Sequence, residues 1–382
     1  MSTMLKKLRA LRQELCTILL ERDVAIEAAL LALLTGEHLL LLGPPGTAKS
    51  LMVRSLCERI GGATYFERLL TKFTTPEELF GPLSLSALEH DQYRRVTAGT
   101  LVEAHLAFVD ECYKANSSIL NALLGIMNER IYHEAGQAIP VPLLSLMGAS
   151  NETPEDESLA ALHDRFLLRV TVPYLAADDS LRALLAMGTQ KPSATITLDD
   201  LRGAQAEVGS IPLTDDTREA IIAIKHALEE DGIAASDRRW KATANLVRAK
   251  SWLEGDAMTC ADHCEVLVHA LWSEPGQQRV VERCVSKICN PLNLEAVELE
   301  DAAKDLFDQK PAPDTANLTQ ALEPLLKQLG DIHTRLEQRI NASPSHKTFR
   351  ARQALTRVEG WHRDLSQLAL KSLSRLHMAP GA

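Results

Sequence analysis

Leu39-Leu40-Leu41-Leu42-Gly43-Pro44-Pro45-Gly46-Thr47-Ala48-Lys49-Ser50 runs from a continuous apolar segment straight into a turn rich in glycine and proline. Four apolar residues bounded by turn residues read as a strand buried on both faces, as in a parallel sheet. The turn can point several backbone N–H groups inward at a phosphate, and the helix expected after it adds the positive end of its dipole. In such a loop Gly43, Pro44, Pro45, Gly46, Thr47 and Ala48 shape the cradle, Lys49 reaches the β- and γ-phosphates, and the Ser50 hydroxyl ligates Mg²⁺. The strict pattern GxxxxGK[ST] has glycine where this chain has Ala48. Alanine serves there provided its backbone is not held at positive φ. A Gly-Pro turn can be purely structural, but strand, loop, Lys-Ser and helix in this order favour a nucleotide.

Around that loop the chain offers 382 residues, enough for two or three domains with separate cores. Its net charge of −10 argues against a non-specific hold on a nucleic-acid backbone. No signal peptide or membrane span is legible, since the apolar run from Ala28 to Leu34 is cut off by Gly36-Glu37-His38. Seven cysteines, an odd number at scattered positions, suit a reducing cytoplasm better than a disulfide framework.

Residues 1–190 alternate helical patterns with the apolar strands Leu39–Leu42, Leu106–Val109, Leu143–Ala149 and Leu168–Val172, which predicts an α/β core with a parallel sheet. From 191 to 290 the strands stop, and Leu201–Val208, Asp216–Glu229, Ala242–Leu253 and Ala261–Trp272 read as the amphipathic helices of an all-helical lid. Residues 291–382 then hold three helical patterns, Leu294–Gln309, Leu318–Ile340 and Phe349–Leu376, broken by Pro311-Ala312-Pro313-Asp314. The middle pattern keeps Leu318, Leu322, Leu325, Leu329, Ile332, Leu336 and Ile340 on one seam. Ten acidic and five basic side chains in 292–342 face seven basic and two acidic ones in 343–382, so the last helix is expected against its acidic neighbours, with Leu355, Val358, Trp361, Leu365 and Leu368 inward.

Further chemistry sits at strand ends. Leu106-Ala107-Phe108-Val109 ends in Asp110-Glu111, where Asp110 can hold the water shell of Mg²⁺ and Glu111 can polarise an attacking water. Asn151 ends the next strand, and its amide can hydrogen-bond both that water and the γ-phosphate; read alone it is a turn residue. Arg165, in Asp164-Arg165-Phe166, suits an arginine presented to a neighbouring subunit's nucleotide, with Arg169 the competing candidate and a surface ion pair the plain alternative. Arg238 and Arg239, in Ser236-Asp237-Arg238-Arg239-Trp240, can reach a γ-phosphate from the lid side. Cys260, His263, Cys264, Cys284 and Cys289 cluster loosely, but their spacing suits buried thiols better than zinc. Trp240, Trp252 and Trp272 read as lid core.

Together these residues resemble the AAA+ ATPases, and within them the MoxR branch, where alanine before the P-loop lysine is usual. Phe73-Thr74-Thr75-Pro76-Glu77-Glu78-Leu79-Phe80-Gly81-Pro82-Leu83-Ser84 is similar to the segment that forms a hairpin inserted in the second helix of that branch. Val109–Ala115, Ile119–Leu124, Asn128-Glu129-Arg130 and Ser150-Asn151-Glu152 continue the likeness, and Ser236–Lys241 resembles the lid of RavA-type members. The resemblance implies a homo-hexameric ring with ATP and Mg²⁺ between subunits, a partner bearing a von Willebrand factor A domain, and chaperone-like maturation of client complexes, often metalloenzymes. It makes Asn151 sensor 1, Arg165 the finger and Arg238 sensor 2, with Arg169 and Arg239 still open for the last two roles. A nucleotide-gated DNA-associated AAA+ protein is the alternative; the acidic chain shows no basic reading head. A switch GTPase ranks last, because no Asn-Lys-x-Asp motif occurs.

Overall fold

The computed structural model describes residues 2–154, 159–188, 192–312, 318–342 and 348–377, and it divides into two compact units. The first comprises residues 1–222 and 228–281, the second 223–227 and 282–382. Pro313 and Asp314, in the break expected between the first two C-terminal helices, lie outside the described residues.

In the first unit, α1 (Thr3–Ile18) is capped by the Ser2 hydroxyl, which accepts from the Met4 N–H, and it buries Leu5, Leu8, Leu11 and Leu15 at helical spacing. Helix α2 (Asp23–Thr35) is apolar nearly all round and accordingly buried; Gly36 at φ +70° ends it. The chain continues through β1 (Leu39–Leu42), α3 (Lys49–Cys57), β2 (Ile60–Gly61), β3 (Tyr65–Leu69), α4 (Pro76–Phe80), α5 (Leu85–Leu88), β4 (Leu106–Asp110), α6 (Ser117–Glu129), β5 (Ile131–Glu134), β6 (Gln137–Pro140), β7 (Ser145–Ser150), α7 (Ala160–Arg165), β8 (Leu168–Thr171) and α8 (Asp178–Ala186). Strands β3-β4-β7-β1-β8, in that order, form one parallel sheet. Its central strands β1 and β7 are buried at every residue, as an all-parallel sheet covered by helices requires.

Three expectations need correction. The sheet has five strands because β3 also belongs to it; Glu67 and Arg68 on this edge strand break the apolar run that marks the others. Strands do not stop at residue 190, since β9 (Ile196–Thr197) pairs with β2. The stretch expected as a helix from Ala261 to Trp272 is a 3₁₀ segment, Ala261–His269, whose start is tied by the Cys260 N–H donating to His263 Nδ1 at 2.9 Å. The other lid helices form as read: α9 (Leu198–Ser210), α10 (Asp215–Glu230) and α11 (Asp237–Glu254), followed by α12 (Gln278–Cys289). Trp252 and Trp272 are buried in this lid. Between α4 and β4 the chain makes a hairpin-like excursion, closed by the Leu83–Arg95 bridge and by the Val96 N–H donating to Pro82 O at 2.8 Å.

The second unit is built on α13 (Pro291–Asp308), α14 (Leu318–Asn341) and α15 (Phe349–His377). Leu318, Leu322, Leu329, Leu336 and Ile340 of the seam are buried with Val358 and Leu365, while Leu325, Ile332, Leu355, Trp361 and Leu368 pack partly buried around them. Glu300 of α13 pairs with Arg357 of α15, and Glu295 takes Arg335 and Arg339 of α14, so the opposite charges of this region do meet within it. No described helix is long and apolar enough to cross a membrane.

Candidate nucleotide site

Because β4, β7 and β1 are neighbours and parallel, their C-terminal ends lie side by side, and each carries a piece of one site. After β1 comes the loop Gly43–Ala48. Gly43 sits at φ +152°, and a β-carbon there would stand 2.2 Å from the Val172 carbonyl oxygen, so no side chain fits. Ala48 adopts φ +64° as the residue capping α3. This corrects the condition set for alanine: its backbone is held at positive φ, at a cost of about 1–2 kcal/mol that glycine would avoid. Lys49 opens the helix and is buried, its Nζ donating to the carbonyls of Gly43 (2.6 Å) and Pro44 (3.0 Å). Burial pulls the Lys49 ammonium below its ordinary range, opposed by the charges of Asp110 and Glu111.

At the end of β4, the Asp110 carboxylate accepts from the Glu111 N–H at 3.0 Å. Glu111 itself stands at φ +51°, a conformation that costs a non-glycine residue energy and clusters at functional sites. Its carboxylate accepts from Asn151 Nδ2 at 3.0 Å, just beyond β7, and pairs with Lys114 at 3.2 Å. Lys49, Asp110, Glu111 and Asn151 are thus brought together as the sequence predicts. The Ser50 hydroxyl and Asp110 carboxylate are hard oxygen donors, which fit Mg²⁺.

The arginines are placed elsewhere. β8 runs parallel to β1 with Leu39 opposite Leu168, so α7, which precedes β8, lies at the N-terminal edge of the sheet. The phosphate loop lies at the other edge, about 10 Å away along β1. Arg165, at the end of α7, has no hydrogen bond or ion pair among the described residues, and its Nε is buried without a partner. Burial and the nearby charge of Arg238 both depress its basicity. Arg238 is exposed, and its charge acts on Arg165, so the two arginines stand near one another.

The competing arginines are committed inside. Arg169 is 1% exposed and donates to the carbonyls of His163 (2.9 Å) and Trp272. Arg239 is 4% exposed, pairs with Asp164 at 3.2 Å, and donates to the carbonyls of Asp164, Phe166, Leu167 and Ala270.

Sequence reasoning missed Arg22. It is buried and donates to Thr47 O in the phosphate loop (3.2 Å) and to Pro173 O beyond β8 (2.7 Å), bracing the loop from outside. A charged pair directly before the apolar helix α2 was the only available hint. In the lid, the carboxylates of Glu254 and Asp256 converge on His263 Nε2 at 3.3 and 2.9 Å. Since His263 Nδ1 accepts from the Cys260 N–H, Nε2 of the neutral ring carries the proton and donates to these carboxylates, so the imidazole offers no lone pair to a metal.

Comparisons with known proteins identify the family and the fold. Residues 6–206 match a family described as the MoxR domain in the MoxR-vWA-beta-propeller ternary systems, and residues 216–285 match an AAA lid domain. Among curated proteins, an uncharacterized protein of Methanocaldococcus jannaschii is 40% identical over 304 residues, covering 79% of this chain and 81% of that protein. Chaperone MoxR1 of Mycobacterium tuberculosis is 29% identical over 185 residues, 47% of this chain and 48% of its own length. A crystal structure from Cytophaga hutchinsonii, described as a candidate ATPase, shares the fold with a TM-score of 0.62 at 17% identity, over 75% of this chain and 95% of that one.

Proposed function

Since the chain belongs to the MoxR branch of the AAA+ ATPases, we propose that it hydrolyses ATP with Mg²⁺ in a homo-hexameric ring, with each site completed by the next copy. The observation that carries this reading is the split site. The phosphate loop, Asp110, Glu111 and Asn151 share one edge of the sheet, while Arg165 and Arg238 stand towards the other, without a hydrogen bond among the described residues. Lys49 would hold the phosphates, and the Ser50 hydroxyl and the Asp110 carboxylate would hold Mg²⁺ and its water shell. The metal supplies charge neutralisation on the phosphate oxygens. Glu111 accepts the proton of the attacking water, and the Asn151 amide, already bonded to that carboxylate, orients it. Arg165 and Arg238 of a neighbouring copy meet the charge developing on the transferred group, a contribution of about 10³ to 10⁵ in rate for a finger arginine.

The test is a mixed ring. Arg165→Ala should bind ATP but lose hydrolysis, and so should Glu111→Gln. Mixing the two should restore activity wherever the intact arginine of one copy faces the intact carboxylate of another, and the absence of rescue would refute action in trans.

The ring is proposed to remodel, mature or activate a client protein complex, through an adaptor with a von Willebrand factor A domain; the metal of a metalloenzyme client would be held by the client, not by this chain. The family description, which names such systems together with a β-propeller component, supports this, and the seven cysteines, none in a disulfide among the described residues, suit a cytoplasmic setting. Purifying the Glu111→Gln protein from its host with ATP and Mg²⁺ should recover the adaptor. Recovery of DNA or replication proteins would point to the DNA-associated reading.

A further inference from the structure

The residues that separate the two half-sites of one chain are joined by a short polar relay. Tyr113 lies two positions beyond Glu111, in the 3₁₀ turn Cys112–Lys114, and its hydroxyl meets His163 Nδ1 at 2.5 Å. His163 lies two positions before Arg165 in α7, and its Nε2 stands 2.9 Å from the Ser273 carbonyl in the lid. A carbonyl only accepts, so Nε2 carries the ring proton, Nδ1 accepts, and the Tyr113 hydroxyl is the donor. Burial, with the Arg169 charge next, pushes His163 down to about 3, so the ring stays neutral and the donor order is fixed at working pH.

An apolar contact runs beneath the relay. Gly148 of β7 has no side chain, and a β-carbon there would stand 2.5 Å from the Phe166 ring and 3.3 Å from Cys112 Sγ. The turn after the catalytic carboxylate and the segment after α7 therefore close on the same point of the sheet. Among the described residues, Tyr113–His163 is the side-chain hydrogen bond that links residues 111–115 to α7.

We infer that Tyr113 and His163 are positioning residues that set the Glu111 turn and the Arg165 helix together, so that the state of one nucleotide site is transmitted to the arginine offered to the next. This rests on the reading of Arg165 as acting in trans. The coupling needs no new chemistry: moving the turn moves the hydroxyl, and the imidazole, held at its other nitrogen by Ser273, carries the displacement to α7. Allosteric couplings of this kind typically change a neighbour's affinity or rate by about 5- to 150-fold.

The experiment compares ATPase rates of rings doped with increasing fractions of Glu111→Gln subunits. In the wild-type background each blocked subunit should silence more than its own share, giving a curve that falls below the straight line, and the ATP dependence should be cooperative. Tyr113→Phe keeps the ring and removes only the hydroxyl; it should bring the doping curve to the straight line, take the Hill coefficient towards 1 and lower kcat severalfold with KM little changed. His163→Gln, which retains one acceptor and one donor, should keep the wild-type curve. A Tyr113→Phe ring with an unaltered doping curve and Hill coefficient overturns the relay. If instead Arg165→Ala retains full hydrolysis, the reading in trans fails first, so the two failures are told apart.

Discussion

Replacing Arg239 should unfold this protein well before it affects chemistry, while replacing its neighbour Arg238 should do the reverse. The Arg239 guanidinium is 4% exposed and serves the Asp164 carboxylate and four backbone carbonyls drawn from residues 164–167 and 270. Arg239→Ala leaves the carbonyls without their buried donor, while the Asp164 carboxylate, 35% exposed, can turn to water. Four hydrogen bonds from this buried guanidinium to backbone carbonyls are lost, at about 1 kcal/mol each, which makes about 3–5 kcal/mol in all. For a domain of this size each kcal/mol moves the melting temperature by roughly 2–4 °C, so a loss of about 6–20 °C is expected. Arg238 is exposed and has no hydrogen bond to lose among the described residues, so Arg238→Ala should stay within about 0.5 kcal/mol of wild type while ATP hydrolysis falls. Thermal denaturation of both variants, alongside ATP binding and turnover, reads the contrast directly. An unshifted melting temperature for Arg239→Ala, or a shift for Arg238→Ala as large as that of Arg239→Ala, would refute the assignment of structural and catalytic arginine.

Other consequences can be checked at the bench. Lys49→Ala should abolish ATP binding in calorimetry with the fold intact, and retained micromolar affinity would remove Lys49 from the phosphate site. Ala48→Val places a β-branched residue at φ +64°, so ATP affinity should drop at least tenfold, whereas Ala48→Gly should keep it. His38 and His163 are buried and both depressed to about 3, mainly by burial. Their contribution is therefore complete above the unfolded value near 6.5 and is lost as pH falls towards 3, about 2 kcal/mol for each ring at pH 5. Melting curves at pH 7 and pH 5 should show this decline, and a flat response would mean that the rings protonate in place.

The strands and the site differ in how much of them the chain reveals. β1, β4, β7 and β8 are legible because strands covered on both faces are mostly apolar, and the bundle seam is legible because its leucines recur with the helical period. The edge strand β3 is not, since one solvated face admits Glu67 and Arg68 and hides the period. The glycine-rich turn, the Lys-Ser pair and the two carboxylates are equally readable, because phosphate chemistry demands those groups at strand ends.

What the sequence alone determined is therefore local: which segments are strands or helices, and which residues stand where strands end. Tertiary structure decided the rest. Adjacent helical residues point about 100° apart, so whether Arg238 or Arg239 faces inward depends on how α11 is turned against α7, more than seventy positions away. Arg165 and Arg169 divide in the same way, one without a hydrogen bond among the described residues and the other locked onto the carbonyls of Trp272 and His163. The Tyr113–His163 link is a contact across fifty positions. Such pairings follow from burial and chain packing, which no short-range pattern of residue types encodes.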